Sequence, residues 1–558
     1  MISPLSCRQG TRFKLATLHA AVLAVLAGCG GGDDGNAFVN QSPAEACASL
    51  VGLQIPAASI GLPTTGASVR TAKLVAADSS GNVNGEYCAV TGLVAPVSSS
   101  APSLEFQVNL PSSWNQRALQ YGGGGYDGSL VTGLGAYTAQ VANTSNALKQ
   151  GYVTLGSDGG HKGEGSFDGN FALNAEALMN YGQQSVKKTH DVAMAIVKKR
   201  YDQTPKRFYF IGGSQGGHEA LDAAARYPAD YDGVISNYPA YNITLLQLAS
   251  LNVGKALYAN GGAGWINPAK KKLLTDAVYA ACDVLDGAED GIISNLAACN
   301  TSFNINTVKA TLRCAGGVDS GDACLSDPQI DAVQKIASPY DLGFEVAGQQ
   351  VFPRWPLLEG ALFTASSFGA SPVPGEPPAA TDALLYSVGA AHAKYFVTQN
   401  PKLNALTYEP AAYKSRLQEL GSITDVTNVS LAAFRAKGGK IILTHGTIDD
   451  FISPHNTENY YQRQVSAFGQ GAVDGFLRFY SIPGYGHGFG AYNLGYDGLG
   501  VLNNWVENGT APEIIASVDN NPGATRGRPM CRWPARPIFT GAAGASLNDA
   551  ANFSCQKP

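Results

Sequence analysis

The run Gly212-Gly213-Ser214-Gln215-Gly216-Gly217 sets a serine among small residues. It follows the buried-strand candidate Phe208-Tyr209-Phe210-Ile211 directly and precedes a small-residue helix candidate, Glu219 to Arg226. A nucleophile elbow needs this setting: the turn is tight, the helix packs close to the strand, and the strained serine projects its hydroxyl outward. A serine hydroxyl needs a base, and with this elbow the partners follow in the order Ser, Asp or Glu, His. Beyond the elbow helix the chain offers His392, His445, His455 and His487. His487 lies in Gly484-Tyr485-Gly486-His487-Gly488, a turn-rich loop after the last strand candidate, and is the expected base. His445 closes a strand and His455 follows a proline in a loop, so hydrogen bonding and a surface position are expected of them. His218, on the helix after the elbow, faces the wrong way. Asp449 and Asp450 follow the strand that ends in His445. Asp449 is the expected acid, where a buried carboxylate would fix the imidazole tautomer and stabilise its protonated form. Its rival Asp450 is otherwise expected to face solvent.

The developing oxyanion of such a reaction needs backbone N–H donors. Gln215, after the serine, supplies one, and the run Tyr121-Gly122-Gly123-Gly124-Gly125 suits the other, since glycine allows close backbone approach. A phosphate cradle is disfavoured because no Lys-Ser/Thr pair follows. A second constellation is Cys282-Asp283-Val284-Leu285-Asp286-Gly287-Ala288-Glu289-Asp290-Gly291-Ile292. Its three Asp and its turn glycines could offer oxygens to Ca²⁺, or form a solvated acidic turn. EF-hand spacing and the closing Glu are absent.

The elements that must position these residues alternate between strand-like and helix-like. Leu104 to Leu110 alternates with period two, Tyr152 to Gly156 is a short apolar run, and Ser185 to Tyr201 is an amphipathic helix with Val186, Val192, Ala193, Ile196 and Val197 on one face. The pattern resumes at Gly439–Thr444 and Gly475–Tyr480, with a helix-like Thr457–Gly469 between them. Such alternation predicts a parallel sheet covered by helices. Residues 241–435 break it, with four cysteines, the Pro-rich Ser371–Pro378 and little strand periodicity; they read as an inserted lid. The organisation expected is 47–240 and 436–558 as two parts of one α/β domain, split by that lid.

Composition fits export. The 558 residues are 45% hydrophobic and 15% charged, with 66 glycines and a formal charge of −5. This excludes disorder as the main state and gives no basic footprint for nucleic acid. Residues 1–28 carry Arg8, Arg12 and Lys14, then the apolar run Leu15 to Leu26, too short for a spanning helix: an export signal. It ends in Leu26-Ala27-Gly28-Cys29, similar to a bacterial lipobox, so Cys29 is the expected lipidation site and 29–46 a flexible tether. Loss of the signal takes the formal charge from −5 to −8. The expected location is the bacterial outer membrane through the Cys29 lipid, or the exterior if the lipobox is not used. Cys47, Cys88, Cys282, Cys299, Cys314, Cys324, Cys531 and Cys555 then remain, an even number in an oxidising compartment. Their clustering suggests the pairs 47–88, 282–299, 314–324 and 531–555.

The segments YFIGGSQGG (209–217), RYPADYDGV (226–234), CDVLDGAEDGI (282–292), LAAFRAKGGKIILTHGTID (431–449) and IPGYGHG (482–488) resemble the tannase and feruloyl esterase family over nearly the whole mature chain. The resemblance implies an α/β-hydrolase fold with a large lid domain. It implies a triad of Ser214, Asp449 and His487, and oxyanion donors at Gly122 and Gln215. It also implies a structural Ca²⁺ held by Asp283, Asp286, Asp290 and the carbonyls of Ala288 and Ile292, with no organic cofactor. The four cysteine pairs match the family pattern. In many members a disulfide joins the residue before the serine to the one after the histidine; here these are Gly213 and Gly488. The function implied is hydrolysis of small-molecule esters of aromatic carboxylic acids (feruloyl, galloyl or terephthaloyl) by a monomer that touches membrane only through its lipid. Alternatives are an esterase of aliphatic hydroxyacid oligomers and a catalytically silent binding lipoprotein.

Overall fold

The computed structural model describes residues 41–558 apart from Ser166, Thr364 and Asn428. The export signal, Cys29 and most of the tether lie outside the described residues. Regular structure starts inside the stretch expected to be tether. Ser42 caps the helix Pro43–Ala48, accepting from the Glu45 amide while the Glu45 carboxylate accepts from the Ser42 amide. The Cys47–Cys88 disulfide ties this helix to the sheet.

The strands as far as Ile482 are β1 (Gln54–Ile55), β2 (Gly66–Val75), β3 (Tyr87–Ala95), β4 (Leu104–Pro111), β5 (Arg117–Tyr121), β6 (Val153–Ser157), β7 (Arg207–Gly213), β8 (Gly233–Asn237), β9 (Tyr340–Val346), β10 (Gln349–Phe352), β11 (Lys440–Gly446) and β12 (Leu477–Ile482). Ten form one sheet in the order β1-β2-β3-β4-β6-β5-β7-β8-β11-β12. Its first four pairings are antiparallel. The other five, which carry the site, are parallel. The alternation in β4 anticipated one wet face, yet Gln107 and Asn109 are buried too. They are satisfied there: Gln107 Nε2 donates to Asn109 Oδ1 at 2.8 Å, and Asn109 Nδ2 to the Thr132 carbonyl at 2.7 Å.

The helix Ser185–Tyr201 buries Val186, Val192, Ala193, Ile196 and Val197 on the face its spacing predicts. Between β8 and β11 the chain runs through helices, beginning with Ile243–Gly262, and the hairpin β9–β10, which its weak periodicity did not announce. These elements share a core in which Leu257, Ile336, Phe352, Trp355 and Leu417 pack with Tyr126, Phe171 and Tyr181. The insertion is therefore continuous with the walls of the site. The remaining disulfides are Cys282–Cys299, Cys314–Cys324 and Cys531–Cys555, the pairs the clustering suggests. Among the described residues no helix is long and apolar enough to cross a membrane.

Candidate active site

The candidate side chains follow the carboxyl ends of the parallel strands, where open α/β sheets place ligands. At the end of β7 Ser214 adopts φ 62° and ψ −121° and opens the helix Gln215–Arg226, longer at its start than its sequence suggested. A non-glycine residue there costs about 1–3 kcal/mol and persists only when its surroundings fix it. The surroundings are backbone: a Cβ on Gly212 would meet the Gly216 carbonyl at 2.3 Å, and one on Gly217 the Asn237 carbonyl at 2.5 Å. The Ser214 amide donates to Asn237 O at 3.0 Å. Asn237 is itself held, its Nδ2 donating to Gly212 O at 3.1 Å and its Oδ1 accepting from Thr444 Oγ1 at 2.6 Å. Nothing in the sequence marked Asn237, because its role depends on β8 lying between β7 and β11.

Asp449 is fully buried in the turn after β11. Its Oδ1 accepts the amides of Phe451 (2.9 Å) and Ile452 (2.8 Å); its Oδ2 lies 2.9 Å from His487 Nδ1 and 3.2 Å from His445 Nε2. Burial opposes its ionisation, yet the His487 and His445 imidazoles hold the carboxyl well below the ordinary carboxylate range. His445 Nε2 also faces the Ile452 carbonyl at 2.9 Å and Nδ1 the Thr457 hydroxyl at 2.7 Å. This network assigns the proton to Nε2 and makes His445 a second holder of Asp449.

Two side chains depart from expectation. Asp450 is buried, not solvent-facing, and accepts from Ser367 Oγ of the insertion at 2.5 Å. His455 is no surface residue: only 13% of its side chain is exposed, with Nε2 2.6 Å from Glu359 and Nδ1 2.9 Å from Glu458. His392 is buried among apolar residues of the insertion, and burial pushes its imidazole down to about 3.

The tetraglycine run corrects the oxyanion assignment. The Gly122 amide is committed to Ile211 O at 2.9 Å, continuing the β5–β7 ladder by one rung, and the Gly123 amide to Glu219 Oε2 at 2.8 Å. Gly122 instead provides close packing, for a Cβ there would lie 2.5 Å from Gly216 Cα. Gly125, with φ +61°, is the member of the run that borders one pocket with Ser214 and Gln215. As the first residue of its helix, Gln215 has no carbonyl partner within that helix for its amide. The pocket is walled by Tyr126, Phe167, Tyr181, Ile243, Leu246, Val388, Phe451 and Ile452, with Gln215, Gln247 and Ser250 as its polar members. The Nε2 of Gln215 and the Oε1 of Gln247 are buried without hydrogen-bond partners. Among the described residues no Lys, Arg or His lines it.

The acidic loop lies apart. Asp283 accepts the Gly291 and Ile292 amides, Asp286 those of Ala288 (3.1 Å) and Ser294 (2.8 Å), and Asp290 that of Ile292 (3.1 Å) and an ion pair from Arg528. Among the described residues the only His/Cys/Asp/Glu triplet with ligand atoms within 4.8 Å of one another is His190, Asp191 and Asp230, where Lys187 bonds both carboxylates. An all-oxygen donor set on a part-buried loop, with Asp286 itself buried, fits a hard cation such as Ca²⁺. Here its carboxylates are turned onto amides and Arg528.

A mostly parallel sheet with a serine elbow at β7 and an Asp–His pair after β11 and β12 defines an α/β hydrolase. The sequence model described as tannase and feruloyl esterase matches residues 88–556, and the chain belongs to that family; it is a carboxylic ester hydrolase. It is 37% identical to an uncharacterised esterase of Agrobacterium fabrum, over 92% of this chain and 94% of that one. It is 30% identical to the mono(2-hydroxyethyl) terephthalate hydrolase of Piscinibacter sakaiensis, over 85% of each. Among solved structures, an esterase from Aspergillus oryzae superposes with a TM-score of 0.74 at 24% identity, covering 92% of this chain and all of that one.

Proposed function

We propose that the chain hydrolyses esters of aromatic carboxylic acids through an acyl-enzyme on Ser214, with His487 as general base and Asp449 as the carboxylate that orients it. The observation carrying this reading is the 2.9 Å contact between Asp449 Oδ2 and His487 Nδ1, on a carboxylate whose other oxygen is filled by two amides. It keeps the proton on Nδ1 and leaves Nε2 as the basic nitrogen. Nε2 takes the Ser214 proton as Oγ attacks the ester carbonyl, and the oxyanion accepts from the amides of Gln215 and Gly125. The imidazolium then protonates the departing alcohol, and water, deprotonated by Nε2, releases the acid.

The aromatic walls, together with the likeness to the mono(2-hydroxyethyl) terephthalate hydrolase and to the tannase and feruloyl esterase family, support an aromatic acyl group. The two unpaired amide atoms, and the absence of a cation in the lining, favour an uncharged ring bearing hydroxyls over one bearing a carboxylate. An unpaired buried carboxylate costs several kcal/mol, whereas a hydroxyl could pair with Gln215 and Gln247. Initial rates on hydroxycinnamoyl, galloyl, monoterephthaloyl and hydroxybutyrate esters test this. The hydroxylated aromatic esters should lead in kcat/KM by about 100-fold over the carboxylate-bearing one, equivalent to nearly 3 kcal/mol, and Ser214→Ala should abolish all turnover. Preference for hydroxybutyrate esters, or an active Ser214→Ala, would sink the reading.

The reading extends to two features outside the pocket. The acidic loop would hold Ca²⁺ through Asp283, Asp286, Asp290 and the carbonyls of Ala288 and Ile292, stabilising the start of the insertion without entering the reaction. The N-terminal segment would export the chain and tether it by a lipid on Cys29.

A further inference from the structure

The His487 ring meets Asp449 through one hydrogen bond, and although backbone bonds such as Gly486 N to Phe489 O (2.7 Å) fix its loop, glycines flank the histidine and leave its ring no packing from adjacent side chains. Gly484, Gly488 and Gly490 all have positive φ, and Gly486 adds a fourth glycine within seven residues. A single N–H···O contact fixes Nδ1 but leaves the ring free to turn about that axis. Two aromatic side chains remove this freedom. Phe451 meets the imidazole edge to face at 4.9 Å, and Tyr238 lies against it at 4.6 Å with the planes tilted by 51°.

Tyr238 is placed there under strain. It is the first residue beyond β8, has φ +35°, and its amide donates to the Thr444 carbonyl of β11 at 2.7 Å. For a bulky L-residue this backbone is an outlier worth about 1–3 kcal/mol, a cost that marks a functional constraint more often than an accident. The residue as a whole is only 7% exposed. A Cβ on Gly213 would lie 2.8 Å from its Cε2, Cζ and hydroxyl, and a Cβ on Gly488 would lie 3.3 Å from the same hydroxyl. The phenol thus fills the space between the residue before Ser214 and the residue after His487, where neither glycine has a side chain.

We propose that Tyr238 is a positioning residue: its ring braces the His487 imidazole against the Ser214 elbow, and Gly213 and Gly488 are glycines because the phenol occupies the volume their side chains would take. Besides His487, the groups facing the ring are Tyr485, His445, Thr138 and Asp449. Burial pushes the phenol up to about 12, against the pull of the Tyr485 and Thr138 hydroxyls, so Tyr238 is neutral wherever His487 works as a base.

This inference rests on Ser214 and His487 being nucleophile and base, and its test separates the two. Misplacement of a catalytic group by about 1 Å costs on the order of 100-fold in rate. Tyr238→Ala should therefore lower kcat about 100-fold with KM nearly unchanged, and Tyr238→Phe, which keeps the ring, should remain within about 5-fold of wild type. Gly213→Ala displaces the ring without deleting it and should also lower kcat, which keeps the test open if Tyr238→Ala does not fold. Removing the ring leaves two Cβ positions that had a common neighbour. Each such Cβ lies within 3.3 Å of the Tyr238 hydroxyl, and mass spectrometry first establishes that the disulfide, whose Cβ atoms must stand roughly 3.5–4.5 Å apart, has formed in the variant being assayed. The triple variant Tyr238→Ala/Gly213→Cys/Gly488→Cys should regain about 10-fold in kcat when oxidised and lose it on reduction. A folded Tyr238→Ala with kcat within about 3-fold of wild type, or an oxidised triple variant no faster than its reduced form, overturns the brace. Ser214→Ala in the same assay distinguishes the failures: if it is silent while Tyr238→Ala is fully active, only the brace falls, and if it is active, both readings fall.

Discussion

Replacing Asp449 by Asn keeps the shape of the site and inverts its hydrogen-bond logic. The carboxylate receives four donors: the Phe451 and Ile452 amides on Oδ1, and His487 Nδ1 and His445 Nε2 on Oδ2. The Asn oxygen can still serve the two amides, but its NH₂ must then face the imidazoles. His487 responds by accepting at Nδ1 and carrying its proton on Nε2, where it can no longer take one from Ser214. The imidazolium formed during reaction also loses its counter-charge. Two unit charges about 4 Å apart at an effective dielectric constant of about 20 interact by about 4 kcal/mol, worth nearly 10³ in rate. With the wrong tautomer added, the expected loss is about 10⁴-fold in kcat, with KM little changed. The NH₂ also opposes His445 Nε2–H, so the variant should be less stable by about 1–3 kcal/mol. Initial rates on a generic aryl ester, with circular dichroism and thermal melts to confirm folding, measure both. Asp450→Ala is the control: it breaks a buried bond to Ser367 and should lower stability while most activity survives. If folded Asp449→Asn kept more than about a tenth of wild-type kcat while Asp450→Ala lost about 10³, the acid would be Asp450 and the reasoning from geometry would be wrong.

Two further predictions concern stability. Burial disfavours a charged His455, but Glu359 and Glu458 raise it from 6.5 to about 10, while His455 and Arg354, against burial, hold Glu359 down to about 2. The folded state therefore keeps a proton that the unfolded state releases above about 6.5, so this contribution is complete below that pH and lost as pH rises towards 10, by at most about 1.4 kcal/mol per unit. Thermal melts should fall across this window in wild type and flatten in His455→Gln; parallel slopes would refute the linkage. For the acidic loop, chelation should lower the melting temperature, added Ca²⁺ should restore it, and Asp286→Asn should abolish the response. No calorimetric binding and no shift on chelation would leave Arg528 as the only cation the loop needs.

The strands that carry the site were legible because a parallel sheet buries them on both faces, leaving short apolar runs bounded by glycine. Phe208–Ile211 and Gly439–Thr444 lie within or beside β7 and β11 for that reason. The hairpin β9–β10 was not, because its residues pair at the edge of a helical insertion, where no alternation is required. In the candidate site, the elbow at Ser214 and the pairing of Asp449 with His487 could be read from residue type, order and loop position. That the Gly122 amide is taken up by Ile211 could not, because it depends on how many rungs β5 shares with β7, a register no composition records. The burial of Asp450 is illegible for a related reason: it depends on Ser367, 83 residues earlier in the chain, coming to lie against it.

The glycines around Ser214 and His487 show how far local reading goes. Their sequence context suggests flexibility, and at Gly124 the structure leaves open space where a Cβ would stand. At Gly122, Gly212, Gly213 and Gly217 it does not: each gives up a Cβ to an atom less than 3 Å away. A glycine of the first kind tolerates exchange up to the limits of its φ, and one of the second transmits any exchange straight into the elbow. Gly213 differs again, because its neighbour is a side chain and not a backbone. There the close approach involves a ring that can itself be replaced, so the volume between Ser214 and His487 can be refilled by a different pair of residues without rebuilding the sheet. Variation at 213, 238 and 488 should then be coupled, and single exchanges at any one of them should cost more than concerted ones.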